Sequence, residues 1–276
     1  YLVLFLMYLP ILILIAYSFS INVSIGDGYK FGTELWVNLF SDTKIAKEIW
    51  TALGNTLIIA VISAIVSVIL GTLGAIGAFY SKRRIRKTFD MVNQIPVVNA
   101  EIVLALSLTV LFVFCSQYIF KTQILSFWTL LIGHIVLCVP FVYISVRPKL
   151  EQMDPSLYEA ALDLGATPRQ ALWKTTIPDI LPGVLSGFLL SITLSLDDFI
   201  VTRFTRGPGL LSGENSIETL STLVQAKIKK GPIPVEMRAL TTILFVIVIL
   251  AVILITLYRK YNEKKLRTVG GKQNEK

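Results

Sequence analysis

The chain has 276 residues, of which 54% are hydrophobic and only 16% charged, with a formal net charge of +8. That is too apolar for an ordinary soluble domain. The positive charge sits in short clusters between apolar runs, so it reports membrane topology and not a nucleic-acid partner.

Six apolar runs have the length of a membrane span, about 17–25 residues each: roughly 2–20, 54–79, 97–114, 125–146, 184–202 and 239–257. Lipid offers the backbone no partners, so each run is expected to be a helix. An all-α integral membrane protein with six transmembrane helices follows. Run 2–20 begins after Tyr1, not a Met, and lacks both a basic n-region and a cleavage site. It reads as a retained span and not a signal peptide. The polar loop 21–53 places Trp36 and Trp50 for the membrane interface. SKRRIRK at 81–87 reads as a stop-transfer flank at the headgroups. Cys115 and Cys138 lie in or beside apolar helices, with no disulfide framework or metal spacing. His134, mid-helix among apolar neighbours, is expected to be packed and hydrogen-bonded and not a proton relay. NSIETLSTLVQAKIKKG (215–231) predicts a short helix between the fifth and sixth runs. Asn215 or Ser216 would cap it and Gly231 would end it. Ile217, Leu220, Leu223, Val224 and Ile228 fall on one face, which suits an external helix lying on the membrane or on its own bundle, the sharper reading being a gate or a docking surface for an external partner.

Lysine and arginine set the orientation. The gaps after the second and fourth runs, with the C-terminal tail, hold 16 of the 26. Both termini of this multi-pass chain are therefore expected in the cytoplasm. The gap at 203–237 is the discordant one, with Arg203, Arg206, Lys227, Lys229 and Lys230. No Walker A, GxSxG, HExxH or paired-cysteine pattern occurs, so no catalytic residue and no metal ligand is assigned, and the chain by itself is not expected to hydrolyse a nucleotide.

One polar stretch stands out among the apolar runs: EAALDLGATPRQALWKTTIPDILPG, residues 159–183. Asp154 followed by Pro155 is a helix start, a cap and then proline at the first position. Leu157, Ala161 and Leu164 make an apolar stripe. Gly165 supplies the left-handed residue that closes the helix. Thr167-Pro168 repeats the start signal, and a second short helix is expected to run to about Ile177, where Pro178 and Pro182 end it. The result is a helix–turn–helix at the cytoplasmic surface. Ala160 and Ala161 leave a small-residue face that another body can approach closely.

This pattern resembles the EAA loop of importer-type ABC transporter permeases. The match rests on Glu159, Ala160, Ala161 and Gly165, and on Ile177-Pro178 for the family's LP pair, while Thr175 departs from the apolar residue expected there. Asn55-Thr56-Leu57 resembles the motif that opens the family's core, and the resemblance covers about residues 50–260. FWTLLIGHIVLCVPFVYISVRPKL (127–150), LSLDDFIVTRFTRGPG (194–209) and KKGPIPVEMRALTTI (229–243) look like the second permease of spermidine/putrescine systems. The resemblance implies a type I importer fold (MetI-like). It implies a first helix and outer loop at 1–53, a permease core at 54–258 holding the EAA loop at 154–183, and a basic cytoplasmic tail at 259–276. Glu159, Ala160, Ala161, Gly165 and Pro178 would serve coupling to an ATPase. The implied partners are a homologous second permease, an ATPase dimer that uses ATP and Mg, an extracellular or lipid-anchored polyamine-binding protein, and membrane lipids. This chain itself would carry no cofactor.

Carboxylates inside a membrane are costly and are functional candidates by default. Asp197 and Asp198 lie about 13 residues into the fifth run, roughly 20 Å from its cytoplasmic end. Adjacent helical residues point about 100° apart, so one of the two would face a path squarely. The bland reading is that they cap a helix break or pair with Arg203. Glu101 is expected near the cytoplasmic end of the third run, which would give a path an outer and an inner acid. Tyr17, Trp128 and Tyr143 are candidate aromatic contacts. Carboxylates and aromatic faces suit a substrate with several ammonium groups. Rival readings are an ABC permease for ferric iron, an anion or an opine-like solute, and a stand-alone secondary transporter, against which no internal repeat is seen.

Overall fold

The computed structural model describes residues 2–20, 29–41, 43–120, 125–206, 217–230, 237–243, 245, 246 and 249. The described residues are helical throughout, apart from connections and an isolated bridge between Ser20 and Phe31. In chain order the helices are α1 (Leu2–Ser18), α2 (Glu34–Phe40), α3 (Lys44–Tyr80), α4 (Arg83–Val98), α5 (Glu101–Phe114), α6 (Phe127–Gln152), α7 (Pro155–Asp163), α8 (Pro168–Ala171), α9 (Ile177–Asp197), α10 (Ile200–Thr205) and α11 (Leu220–Lys230). Residues 237–243 are helical as well.

Among the described residues, four helical stretches are long and apolar enough to cross a membrane: Lys44–Tyr80, Glu101–Ile119, Phe127–Gln152 and Pro168–Asp197. They coincide with the second to fifth runs expected from the sequence. The first run is a shorter apolar helix at Phe5–Ser18, with Pro10 inside it. Most of the sixth run, 239–257, and the tail 259–276 lie outside the described residues.

The chain divides into two compact units, residues 1–48 with 227–276, and residues 49–226. In the first, Phe19 stacks on Trp36 at 5.2 Å, and Lys227 Nζ lies 2.6 Å from Glu48 Oε2. The second unit is built on α6, which has 61% of its span residues buried against 33%, 17% and 28% for the other three. Val142, Tyr143, Val146 and Leu150 of α6 form a core with Ala75, Ile76 and Ala78 of α3 and Ile180 of α9. A smaller core joins Leu104 and Ala105 of α5, Leu137 of α6 and Val201 of α10. Outer faces stay apolar: Ile58, Ile65, Ile69 and Leu73 of α3 are all exposed. In lipid such faces gain nothing by being hidden, so helices associate through close backbone packing instead.

Glycines supply that packing. A Cβ on Gly183 would stand 2.8 Å from Lys149 Cγ and 2.9 Å from Ser145 O, and one on Gly187 would stand 3.1 Å from Val142 Cα. Gly183 and Gly187 are one turn apart on α9, a GxxxG pair that seats this helix against α6. Gly71 performs the same service for α3, where a Cβ would meet Val142 Cβ at 2.7 Å.

Two sequence expectations are corrected. The fifth run does not continue to 202: α9 ends at Asp197, Asp198 is extended at ψ 127°, and α10 starts afresh at Ile200. Pro178 and Pro182 do not end the second short helix of the polar loop. A π-helical turn, Leu172–Thr176, carries it into α9 with Pro178 in the first turn. Proline has no N–H to give, and a π turn relaxes the register where that bond is missing.

Replacing Gly183 by leucine should force α6 and α9 apart, at about 1–3 kcal/mol for overpacking. The thermal unfolding midpoint in detergent should fall. Leucine at Gly77, which has nothing within 4 Å of an added Cβ, should leave it in place. Equal midpoints for the two variants would remove the close contact from the account.

Candidate functional site

Two polar features interrupt the apolar second unit. The first is the loop between α6 and α9. Asp154 Oδ1 accepts the Ser156 N–H at 3.0 Å, which holds its carboxyl below the usual range, and Pro155 follows at the first helical position. α7 closes on Gly165, whose φ of +86° is the left-handed value a Cβ disfavours. There the Gly165 N–H donates to Leu162 O and the Ala166 N–H to Ala161 O, a Schellman closure. Thr167 and Gln170 then form a capping box for α8. The start signals at Asp154-Pro155 and Thr167-Pro168 and the turn at Gly165 are therefore used as read, unlike Pro178 and Pro182.

Tertiary contacts decide which way the loop faces. The Tyr158 ring packs at 5.3 Å on that of Tyr80, the last residue of α3, and Tyr80 Oη lies 3.4 Å from Thr176 Oγ1. This holds the inner side of α7. Glu159, Ala160, Gly165 and Pro178 are exposed and Ala161 is half-buried. Leu157 is 51% exposed, Leu164 89% and Trp173 67%. The apolar stripe of α7 therefore points away from the chain, in the manner of a surface that awaits another body.

The second feature is the break between α9 and α10, at the end of α9 away from the loop. Asp198 is buried and spends both oxygens on the new helix. Its Oδ1 accepts the Val201 N–H at 3.2 Å, and its Oδ2 accepts the Thr202 N–H at 2.8 Å and the Thr202 hydroxyl at 2.9 Å. Ser221 of α11 donates to the Asp198 carbonyl at 2.8 Å. His134 of α6 is 1% exposed, with Nδ1 2.7 Å from Ser195 Oγ and Nε2 2.9 Å from Thr202 Oγ1. The tautomer is assigned from the network. Thr202 gives its proton to Asp198, so it accepts from Nε2–H, and Nδ1 accepts from Ser195, which in turn accepts from Ser63 at 3.2 Å. A single directed chain, Ser63 to Ser195 to His134 to Thr202, ends on the Asp198 carboxylate. His134 is the packed, bonded histidine expected. Ser63, Ser195 and Thr202 carry no sequence signal, because the bonds that join them through His134 span 61 or more residues.

Asp197 is exposed beside this break, and no ion pair to Arg203 forms among the described residues. Glu101 is exposed at the start of α5, whose Leu104 and Ala105 share a core with Val201 of α10, just past the break that carries Asp197 and Asp198. The three carboxylates thus gather at one helix break and do not mark an outer and an inner end. The reason is α4. Residues 83–98, read in sequence as a charged gap and the start of a span, form a helix about 24 Å long that runs along α6 before α5 begins. Of the aromatic candidates, Trp128 is exposed at the first turn of α6. Tyr143 is buried and donates to Asp90 of α4, and Tyr17 belongs to the other unit, where its ring meets Tyr29 edge-on.

The motif at Asn55-Thr56 also finds a use that the sequence does not show. Asn55 Nδ2 donates to Glu218 O at 3.1 Å, and Thr56 Oγ1 accepts the N–H of Leu220, the first residue of α11, at 2.8 Å. α11 starts at Leu220; the expected caps Asn215 and Ser216, and Gly231 at its far end, lie outside the described residues. Leu223 is buried, whereas Ile228 at the end of the same face is 51% exposed.

Residues 67–268 match the family described as "Binding-protein-dependent transport system inner membrane component". The chain belongs to this permease family. The spermidine/putrescine transport system permease protein PotC of Escherichia coli (strain K12) is 34% identical over 247 residues, which cover 90% of this chain and 87% of that one. The putrescine transport system permease protein PotI of the same strain is 32% identical, over 86% of this chain and 81% of its own. A PotC homolog of Mycoplasma genitalium is 29% identical over 99% and 94%. Among solved structures, a bacterial ABC transporter involved in the import of the acidic polysaccharide alginate superposes with a TM-score of 0.65 at 18% identity, covering 92% of this permease and 89% of that chain. The permease family is one of membrane components.

Removing His134 would leave the Ser195 and Thr202 hydroxyls buried without their partner, at roughly 1–3 kcal/mol for each group. His134→Ala should therefore lower the unfolding midpoint well below that of Thr202→Ser, which keeps the hydroxyl. Indistinguishable midpoints would show that the chain of bonds does not hold the break.

Proposed function

We propose that this chain is one of two membrane subunits of an ATP-driven importer of polyamines such as spermidine and putrescine. The observation that carries the reading is 34% identity across nine-tenths of the chain to a permease named for that transport. The gathering of Glu101, Asp197 and Asp198 supports the substrate class. A polyamine presents several ammonium groups, and carboxylates in a low-dielectric wall attract them strongly. An anion importer would gain nothing from that cluster.

In this proposal the chain spans a bacterial plasma membrane six times, the runs at 2–20 and 239–257 completing the four long apolar helices, and both termini face the cytoplasm. Residues 54–258 are the permease core and 259–276 a basic cytoplasmic tail. The exposed face of α7, with Glu159, Ala160, Ala161 and the turn at Gly165, docks on one subunit of an ATPase dimer. Pro178 shapes the return of the loop into α9. A homologous permease supplies the other half of the path, and an external or lipid-anchored binding protein delivers the substrate. ATP and Mg act in the ATPase; this chain performs no chemistry on the substrate. Asp197 and Glu101 meet the ammonium groups from the exposed side of the break, while Asp198 holds the break itself. Trp128 and Tyr17 remain candidates for outer aromatic contacts, and Tyr143 acts through its bond to Asp90.

The test is uptake of labelled spermidine into vesicles carrying this chain, its second permease and the ATPase, with binding protein outside. Asp197→Asn should assemble normally and raise the apparent KM about tenfold or more, as expected for loss of one charge-assisted contact of about 1.5–3 kcal/mol. Wild-type vesicles with an intact complex and no spermidine uptake would overturn the substrate assignment.

Gly165→Val asks about the loop alone. A β-branched residue in the left-handed region costs about 1–2 kcal/mol, so the turn should open. Uptake should be lost, with ATP hydrolysis no longer responding to the binding protein or the ATPase lost from the complex. Gly165→Asn, which tolerates that backbone, should retain most uptake. Normal stimulated uptake by Gly165→Val would remove the loop from coupling.

A further inference from the structure

α4 is attached to its unit in an unusual way. None of its 16 residues is buried. Phe89, Met91, Val92, Ile95 and Val98 are all exposed by 45% or more. Apolar burial therefore does little to hold this helix in place. Its polar contacts with α6 converge on one carboxylate. Asp90 Oδ1 accepts the Tyr143 hydroxyl at 2.5 Å and Arg147 Nε at 3.2 Å. Arg147 also meets Glu151 Oε1 through Nη2 at 3.2 Å and lies over the Phe79 ring at 5.8 Å. Beside the pair is a cavity of about 270 Å³, lined also by Gln94, Ile144 and Pro148, so the α4–α6 seam is not filled with side chains at this point.

We propose that Asp90 and Arg147 are positioning residues that transmit movement of the α6–α9 loop to the carboxylate cluster by way of α4, and that neither touches the substrate. The inference rests on the importer reading above. Both ends of the link are in place. Arg147 and Glu151 occupy the last turns of α6, which ends at Gln152 immediately before the Asp154 cap of α7. Any tilt of α7 is delivered first to those turns. At the other end, α4 stops at Val98, and the extended Asn99 and Ala100 lead directly into Glu101. A shift of α4 therefore moves Glu101 relative to Asp197 and Asp198, which are held by α9, α10 and His134.

A polar link suits this task better than an apolar one. It is directional, Arg147 holds Asp90 of α4 and Glu151 of α6 at once through Nε and Nη2, and the adjacent cavity leaves the guanidinium room to shift as α6 moves. Burial opposes ionisation of Asp90. The hydrogen bonds from Tyr143 and Arg147, with the nearby Arg147 and Arg86 charges, outweigh it and hold the carboxyl below the usual range. The link is thus charged and engaged at neutral pH.

The experiment uses the assembled importer in vesicles and reads spermidine uptake and ATP hydrolysis in the same sample. Asp90→Asn and Arg147→Gln should assemble, hydrolyse ATP within about twofold of wild type, and lose about tenfold in spermidine transported per ATP, with the apparent KM unchanged. The exchange of charges, Asp90→Arg with Arg147→Asp, should recover much of that ratio, and Tyr143→Phe should fall between. A parallel fall of uptake and hydrolysis at a constant ratio would mean a structural role only and would overturn the proposal. So would a raised KM at unchanged ratio, which would place Asp90 in the path. A second arm needs no transported substrate. Spin labels at the exposed Met91 of α4 and Leu181 of α9, in a cysteine-free background, should change separation between nucleotide-free and vanadate-trapped complexes. Asp90→Asn should abolish the change, and its persistence would overturn the link even if spermidine proved to be the wrong solute.

Discussion

The second unit depends on how closely α6 and α9 approach one another. Lipid removes the usual reason for helices to associate, because an apolar side chain is as well placed against a lipid tail as against a neighbour. Contact must instead come from backbone surfaces that meet without side chains between them. Gly183 and Gly187 provide such a surface on α9, facing Ser145, Lys149 and Val142 of α6. Gly71 brings α3 to the other side of the same Val142. With three helices fixed about one position, the loop between α6 and α9 has both ends clamped and its direction decided.

That clamp explains why polar groups survive in so apolar a unit. A helix interrupted in lipid exposes N–H and C=O groups that nothing in the surroundings will bond. The break after Asp197 is tolerated because α6 presents His134 and α11 presents Ser221 to it. Asp198 satisfies two amides and a hydroxyl, and His134 passes a chain of hydroxyls on to it. The burial of this acid is thus a requirement of the break. Asp197, exposed one residue earlier, is left for other work, as is Glu101.

The loop and the break lie at opposite ends of α9, about 30 Å apart along its axis. A rigid helix could connect them, but α9 is locked to α6 by its glycines. α4 is attached differently: none of its residues is fully buried, and it joins α6 near the loop to α5 at the carboxylates. A transporter needs one part that resists motion and another that moves relative to it, and these two kinds of attachment supply both.

Much of this was legible in residue order. The positions of the four long apolar helices follow from run length alone, since a lipid-facing backbone must be helical. The Asp154 cap, the left-handed turn at Gly165 and the helix start at Thr167-Pro168 are local devices that use residues two to five apart, and each forms as its sequence predicts. Neighbours decided the rest. A break capped at Asp197 or Asp198 is only one of the readings the sequence allows, because the histidine that lines it, His134, lies about 60 residues earlier and bonds Ser195 and Thr202 across it. α4 looks like a charged gap, because its anchor is a carboxylate that meets Tyr143 and Arg147 more than 50 residues on. Glu101 stands beside the break for that reason, and the outward face of Leu157 and Leu164 is set by Tyr80 packing on Tyr158. The sequence by itself determined the helices and their caps, whose partners lie within a turn. The tertiary structure alone decided which carboxylates meet and which helix is loosely held, because those depend on contacts between residues far apart in the chain.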